Sequence, residues 1–95
     1  MAAYLIADVD VTDPAQYEEY KKLAPAAIAK YGGRYVARGG AHETLEGTWV
    51  PNRLVILEFP DLDRARAFYR SPEYAAAKAA RKNAATGNFV IVEGL

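Results

Sequence analysis

The chain has 95 residues, with 12 Lys plus Arg, 12 Asp plus Glu and no cysteine, which is room for one ordinary domain and one modest core. Charges that balance and alternate in sign leave no surplus to condense on a nucleic-acid backbone or an anionic membrane, and the missing cysteines exclude disulfide scaffolds, thiolate metal sites and cysteine nucleophiles. No run of about 18 apolar residues occurs, as a membrane span requires, and the segment from Met1 to Asp10 has no basic n-region and is interrupted by Asp8 and Asp10, unlike a signal peptide; the expected location is the cytoplasm.

From Ala3 to Val11, Leu5, Val9 and Val11 take one parity and Tyr4, Ile6, Asp8 and Asp10 the other, which predicts a strand with two distinct faces. Asp13-Pro14-Ala15-Gln16 then supplies an N-cap, a proline at the first helical position and the glutamine of a capping box. The apolar stripe Tyr17, Tyr20, Leu23, Ala27, Ile28 and Tyr31 predicts a helix that stops at Gly32-Gly33, with Pro25 expected to kink it or split it.

Arg34 to Arg38 alternates again, and Gly39-Gly40 predicts a bulge or bend before Thr44-Leu45-Glu46 resumes an extended path, giving one long bent strand. After the turn chemistry of Pro51-Asn52, Arg53 to Phe59 is the clearest strand in the chain and is expected to be central. Pro60-Asp61 leads into a helical segment from Leu62 to Tyr69. Ser71-Pro72-Glu73 repeats the cap-plus-proline signal and opens a second piece through Ala75, Ala76, Ala79 and Ala80. Thr86-Gly87 is expected to end it, leaving Phe89 to Val92 as a short closing strand.

The order βαββαβ, with no linker or low-complexity segment, predicts a single α+β domain over residues 1–95 with a ferredoxin-like fold: a four-stranded antiparallel sheet with its helices on one face. Tyr4, Ile6, Leu54, Ile56 and part of the last strand would then form an uncovered apolar patch on the other face. A second copy of the chain, packed sheet to sheet, is the expected cover.

The run Tyr31-Gly32-Gly33-Arg34-Tyr35-Val36-Ala37-Arg38-Gly39-Gly40, then Leu45-Glu46-Gly47 and Trp49, then Leu57-Glu58-Phe59-Pro60, then Ser71-Pro72-Glu73-Tyr74 and Arg81 resembles the domain of unknown function 1330 family. Several separated motifs in the right order cover nearly the whole chain. The resemblance implies the dimeric α+β barrel superfamily, in which two ferredoxin-like sheets close face to face. Its members include cofactor-independent monooxygenases, isomerases and small-ligand sensor domains, so the fold alone does not choose a function.

Polar residues on sheet faces are the first candidates, since a sheet interior is a costly place for a charge. Asp8 shares parity with Tyr4 and Ile6, Glu58 with Leu54 and Ile56, and Arg34 with Arg38. If all point inward, two acids and two arginines line one cavity, either as structural ion pairs or as an anion site with Glu58 as general base. Arg38 and Glu58 are expected to approach the same cavity from neighbouring strands. His42, the only histidine, follows the glycine bend and is either a second catalytic candidate or simply exposed.

Tyr74 and Arg81 lie seven residues apart, two turns along one helix face, and match the family pattern, so both are ligand-binding candidates. Trp49 is a candidate pocket lid or dimer contact, whereas the helical spacing of Tyr17, Tyr20 and Tyr31 marks them as core. No phosphate-cradling glycine loop, zinc spacing or nucleophilic triad appears, so no cofactor or metal is expected. These features describe a homodimer that takes a small organic acid or an enolisable aromatic between sheet and helices or inside the barrel. One alternative is a cofactor-independent enzyme of monooxygenase or isomerase type, with Glu58 or His42 as proton acceptor and Arg38 as electrostatic partner. Another is a structural or interaction dimer without ligand.

Overall fold

In the computed structural model, which describes residues 1–95, the elements run β1 (Ala3–Val11), α1 (Pro14–Lys30), β2 (Arg34–Arg38), β3 (Arg53–Phe59), α2 (Leu62–Tyr69), α3 (Pro72–Arg81) and β4 (Ala85–Glu93). The strands form one antiparallel sheet in the order β2-β3-β1-β4, with β3 and β1 at its centre. This is the ferredoxin-like arrangement. The odd positions Ala3, Leu5, Ala7, Val9, Leu57 and Phe59 are buried beneath the helices together with Tyr17, Ala27, Ile28, Phe68 and Tyr74. Tyr4, Ile6 and Asp8 of β1 and Leu54, Ile56 and Glu58 of β3 alternate with them and face the other way.

Three helix starts are capped. Asp13 accepts a hydrogen bond from the Gln16 amide at 3.2 Å, Asp61 from the Arg64 amide at 2.7 Å, and Ser71 Oγ from the Tyr74 amide at 3.0 Å. Ser71 Oγ also donates to the Phe68 carbonyl at 2.7 Å, so this buried hydroxyl joins the end of α2 to the start of α3. The expected capping box does not close. The Gln16 side chain donates instead to the Ala80 carbonyl at 3.2 Å, and the Asp13 amide to the Ala84 carbonyl at 3.0 Å. Both ends of the box are diverted into ties between α1 and the segment that closes α3.

Several boundaries differ from the sequence expectation, each for a tertiary reason. α1 runs unbroken through Pro25 for 17 residues, because packing of its buried face against α3 and the common core outweighs one lost backbone bond. Ala24 is buried while Leu23, at 43% exposure, turns to solvent, so the stripe follows Tyr17, Ala24, Ala27 and Ile28. Gly32 ends the helix with φ of +78°. Gly33 is required by close approach: a Cβ there would meet the Phe59 ring at 2.5 Å. β4 is nine residues long, not four, since β1 pairs with it from Ala3↔Glu93 to Val11↔Ala85. Thr86 and Gly87 therefore lie inside the strand.

The second strand carries the correction with the largest consequence. β2 ends at Arg38, and the segment 39–52 holds no strand, so Thr44 to Glu46 do not resume the sheet. The irregularity lies inside β2 instead. Arg34 pairs with Glu58 and Tyr35 with Leu57, but the next pairs are Ala37 with Ile56 and Arg38 with Val55. Val36 is an inserted residue, and everything after it is turned to the opposite face of the sheet.

Candidate functional site

The bulge at Val36 separates the expected cluster into two groups on opposite faces. On the open face, Tyr4, Glu58 and Arg34 form a row across β1, β3 and β2. Arg34 Nε donates to Glu58 Oε1 at 2.8 Å. This bond and a second from the Tyr4 hydroxyl hold the Glu58 carboxyl below its ordinary value, and the bond to Glu58 raises the Tyr4 hydroxyl above its own. A carboxylate held in this way is a poor proton acceptor.

Asp8, on the same face, fastens the long loop 39–52. Its carboxylate accepts from Trp49 Nε1 at 2.8 Å and from the Asn52 amide at 2.9 Å, and these bonds, the Trp49 one first, lower its pKa. His42 sits in the same loop with Nδ1 at 3.1 Å from the Gly40 carbonyl and Nε2 at 3.0 Å from the Pro51 carbonyl. A neutral imidazole donates from only one nitrogen, so both carbonyls are satisfied only by the cation. The Pro51 and then the Gly40 carbonyl raise the His42 pKa accordingly. Trp49 is therefore tied to Asp8 by its indole nitrogen, and both ring nitrogens of His42 point at backbone.

A pH dependence follows from these shifts. The raised His42 pKa means that its stabilising contribution is complete below the unfolded imidazole value and is lost as pH rises through the folded one; the depressed Asp8 pKa makes its contribution complete above the unfolded carboxylate value and lost as pH falls through the folded one. The loop is held best between the two. Fluorescence of Trp49, the single tryptophan, is expected to change on the acid side through Asp8 and again above about pH 6.5 through His42. His42→Gln should abolish only the alkaline step. An alkaline step that persists in the variant would contradict this assignment.

On the opposite, helix-covered face, Arg38 lies with its guanidinium carbon 4.4 Å from the centre of the Tyr35 ring. Arg38 and Glu58 consequently do not share a cavity, and neither do Arg38 and Arg34. Arg38 joins a different set of residues: Tyr17, Tyr20, Lys21, Tyr35, Arg53 and Tyr74, with Val55, Leu57, Phe68 and Phe89, line a cavity of about 30 Å³ between α1, α3 and the sheet. That volume has room for a water or two. Tyr17, Lys21 and Arg53 also line an adjoining open cleft of about 430 Å³, bounded by Pro14, Glu18, Gly39 and Asn52, which serves as its vestibule.

The electrostatics of this cavity are one-sided. Lys21 is paired with Glu18 at 3.2 Å, but no carboxylate lies within 4.0 Å of Arg38, Arg53 or Arg81. The Nε atoms of Arg53 and Arg81 are buried and have no hydrogen-bond partner. Arg81 lies behind the cavity with its guanidinium carbon 4.7 Å from the Phe89 ring centre and 5.4 Å from that of Tyr20. Tyr20 and Tyr74 join hydroxyl to hydroxyl at 2.8 Å, so both helix candidates, Tyr74 and Arg81, reach this region. Burial raises the Tyr17 and Tyr35 hydroxyls despite the opposing pull of Arg53 and Arg38. Both remain donors at neutral pH.

Sequence reasoning missed Arg53 here and assigned Tyr17 and Tyr20 to the core alone. Arg53 shares parity with Val55, Leu57 and Phe59, and a cation on the apolar parity of a central strand was the available signal. No group of three or more His, Asp or Glu side chains converges in a way that could hold a metal ion, and no helix is long and apolar enough to cross a membrane.

Comparison with solved structures agrees with this fold. The chain is similar to a protein of unknown function from Rhodopseudomonas palustris (19% identity, TM-score 0.75, covering 99% of this chain and 82% of that one). It is also similar to SnoaB, a cofactor-independent oxygenase from Streptomyces nogalater (15% identity, TM-score 0.67, 99% and 93%), and to a dimeric ferredoxin-like protein of unknown function from Bacteroides fragilis (19% identity, TM-score 0.61, 98% and 96%). No curated protein matches it. The family model for the domain of unknown function DUF1330 matches residues 2–95, and the chain belongs to that family.

Proposed function

We propose that this protein binds a small organic anion, a carboxylic acid or an enolisable aromatic, in the cavity between α1, α3 and the sheet. The observation that carries this reading is the pair of guanidiniums without carboxylate partners, Arg38 and Arg53, at the mouth of a cavity otherwise lined by aromatic and aliphatic side chains. A buried donor left unpaired costs free energy, and a guanidinium fork matches a carboxylate. The ligand's charged end occupies the vestibule at Arg53, and the long Lys21 and Arg38 side chains in the wall must rotate for a ring to enter the inner space, which is about 30 Å³ as it stands. A thermal-shift screen of aliphatic and aromatic carboxylates tests the reading, because a ligand specific to the folded state must raise its apparent stability. Acids that raise the melting temperature of the wild type but not of Arg53→Met support it. Acids that shift both equally would place their site elsewhere.

Homodimerisation through the open sheet face belongs to the same proposal. Val90 and Val92 are 53% and 47% exposed there, beside the half-buried Ile6 and Ile56, and the Bacteroides fragilis relative is described as dimeric. An isologous contact would cover this apolar surface and leave the helix-side cavity free. Sedimentation should give twice the chain mass of 10.4 kDa at micromolar concentration. A folded monomer under those conditions would contradict it.

A second reading, a cofactor-independent oxygenase, is favoured by the likeness to SnoaB. On that reading Arg38 and Arg53 stabilise the enolate of an aromatic substrate. Glu58 and His42 would not serve it as bases from their places on the other face and in the loop. Oxygen consumption with an enolisable aromatic that also shifts the melting temperature separates turnover from binding.

A further inference from the structure

The inner end of the cavity differs chemically from its mouth. Tyr20 and Tyr74 face each other across a 2.8 Å hydroxyl contact, with Tyr74 almost fully buried and both side chains lining the cavity. Two hydroxyls have two protons and share one hydrogen bond, so one proton must look for another acceptor. No carboxylate or carbonyl supplies one, since neither hydroxyl makes any further bond to such a group. The nearest carboxylate on α3, Glu73, is already engaged by Lys30 Nζ at 3.0 Å and the Tyr31 hydroxyl at 2.8 Å.

The 2.8 Å contact permits either hydroxyl to donate. Tyr74 is almost fully buried and Tyr20 only partly so, so the arrangement that serves a ligand has Tyr74 donating to the Tyr20 oxygen. In that arrangement Tyr20 keeps a free O–H. The cation behind the pair, with its buried and unpartnered Nε, makes the local potential positive, and burial pushes the Tyr20 hydroxyl far above its ordinary pKa, so it stays a donor. An inner end with a spare donor, a nearby cation and no carboxylate or carbonyl acceptor favours a ligand oxygen bearing negative charge over a neutral hydroxyl.

We infer that the Tyr20–Tyr74 pair, backed by Arg81, is an oxyanion subsite, so that the ligand is an aromatic or vinylogous hydroxy acid with its carboxylate at Arg38 and Arg53 and a phenolate or enolate oxygen at Tyr20. The inference rests on the reading of this cavity as the binding site, and it adds a second point of recognition with a different chemical preference. A simple acid such as benzoate satisfies the mouth alone. A hydroxy acid satisfies both ends.

Benzoate and 4-hydroxy-3-nitrobenzoate, whose phenol changes colour on ionising, distinguish the two claims. On the wild type, the bound nitrophenol is expected to ionise at lower pH than the free compound, and the hydroxy acid to bind more tightly than benzoate. Tyr20→Phe keeps the ring and its stacking on Tyr17, and should reduce that preference about tenfold. Arg53→Met should weaken both acids. Should Tyr20→Phe fail to fold, the wild-type colour titration decides alone. A bound phenol that ionises at the same or higher pH, or a preference that survives Tyr20→Phe, overturns the oxyanion subsite while Arg53-dependent benzoate binding preserves the proposed function. If neither acid binds the wild type, both claims fall.

Discussion

Phe68→Ala is expected to destabilise the protein by about 3–5 kcal/mol, the usual cost of removing a buried aromatic ring. Phe68 is 1% exposed and lies between two other buried rings, 5.1 Å from Phe59 and 4.5 Å from Tyr74 between centroids. These are the largest fully buried side chains in the chain, and α2 has little else besides Ala65 with which to hold the sheet. Domains of this class have total stabilities of about 5–15 kcal/mol, so the variant should lose a large share of its margin and unfold at much lower urea concentration. The loss should also reach the cavity, because Phe68 fixes the ring whose hydroxyl meets Tyr20. A loss below about 1 kcal/mol would mean that the site collapses readily around the missing ring, against the general behaviour of such cores.

Arg53→Met is expected to separate stability from binding. In the ligand-free protein the guanidinium has a buried Nε without a partner and shares a cavity with the cations Arg38 and Lys21. Replacing the charge while keeping the aliphatic stem should leave stability unchanged or raise it by roughly 1 kcal/mol, the penalty of an unsatisfied donor. The same substitution should weaken a bound organic acid by about thirtyfold or more, since losing one partner of a desolvated charge pair costs several kcal/mol. Urea titration and calorimetric binding on one preparation measure both effects. A large loss of stability with no change in affinity would show that Arg53 is a structural residue.

Most of the fold was legible because it depends on local chemistry. Asp13 and Ser71, each followed by proline, mark helix starts without reference to any distant contact. Alternation in β1 and β3 sorts Leu5, Val9, Leu57 and Phe59 from Tyr4, Ile6, Leu54 and Ile56 because the strand period is 2. The errors concern features that a partner strand or helix imposes. Nothing in Arg-Tyr-Val-Ala-Arg records that Val36 is left without a partner on β3, yet that single insertion moves Arg38 from the face of Glu58 to the face of Tyr35. The length of β4 is set by β1 in the same way, and the fate of Gln16 by the carbonyl of Ala80.

The candidate site was legible in its parts and not in its assembly. Arg38, Tyr74 and Arg81 were named from the sequence, and all three reach the helix-covered side of the sheet. Glu58, Arg34, Asp8, Trp49 and His42 belong to the open face or its loop, where they are tied to one another or to backbone. Arg53 was passed over as one residue of a strong strand, although its parity with Leu57 and Phe59 sets it among apolar neighbours. Tyr17 and Tyr20 are core by spacing and cavity wall by position, two roles that periodicity cannot tell apart.

On the function proposed above, the ligand enters the cavity between helices and sheet and not the space enclosed by the open sheet face. An aromatic carboxylate that raises the melting temperature, bound to isotope-labelled protein, tests it through intermolecular nuclear Overhauser contacts from the ligand's ring protons. Contacts to Tyr17, Tyr35 and Tyr74, lost together in Arg53→Met, are expected; contacts to Tyr4, Ile56 and Val90 would place the ligand on the opposite face and rule out the helix-side cavity as its site.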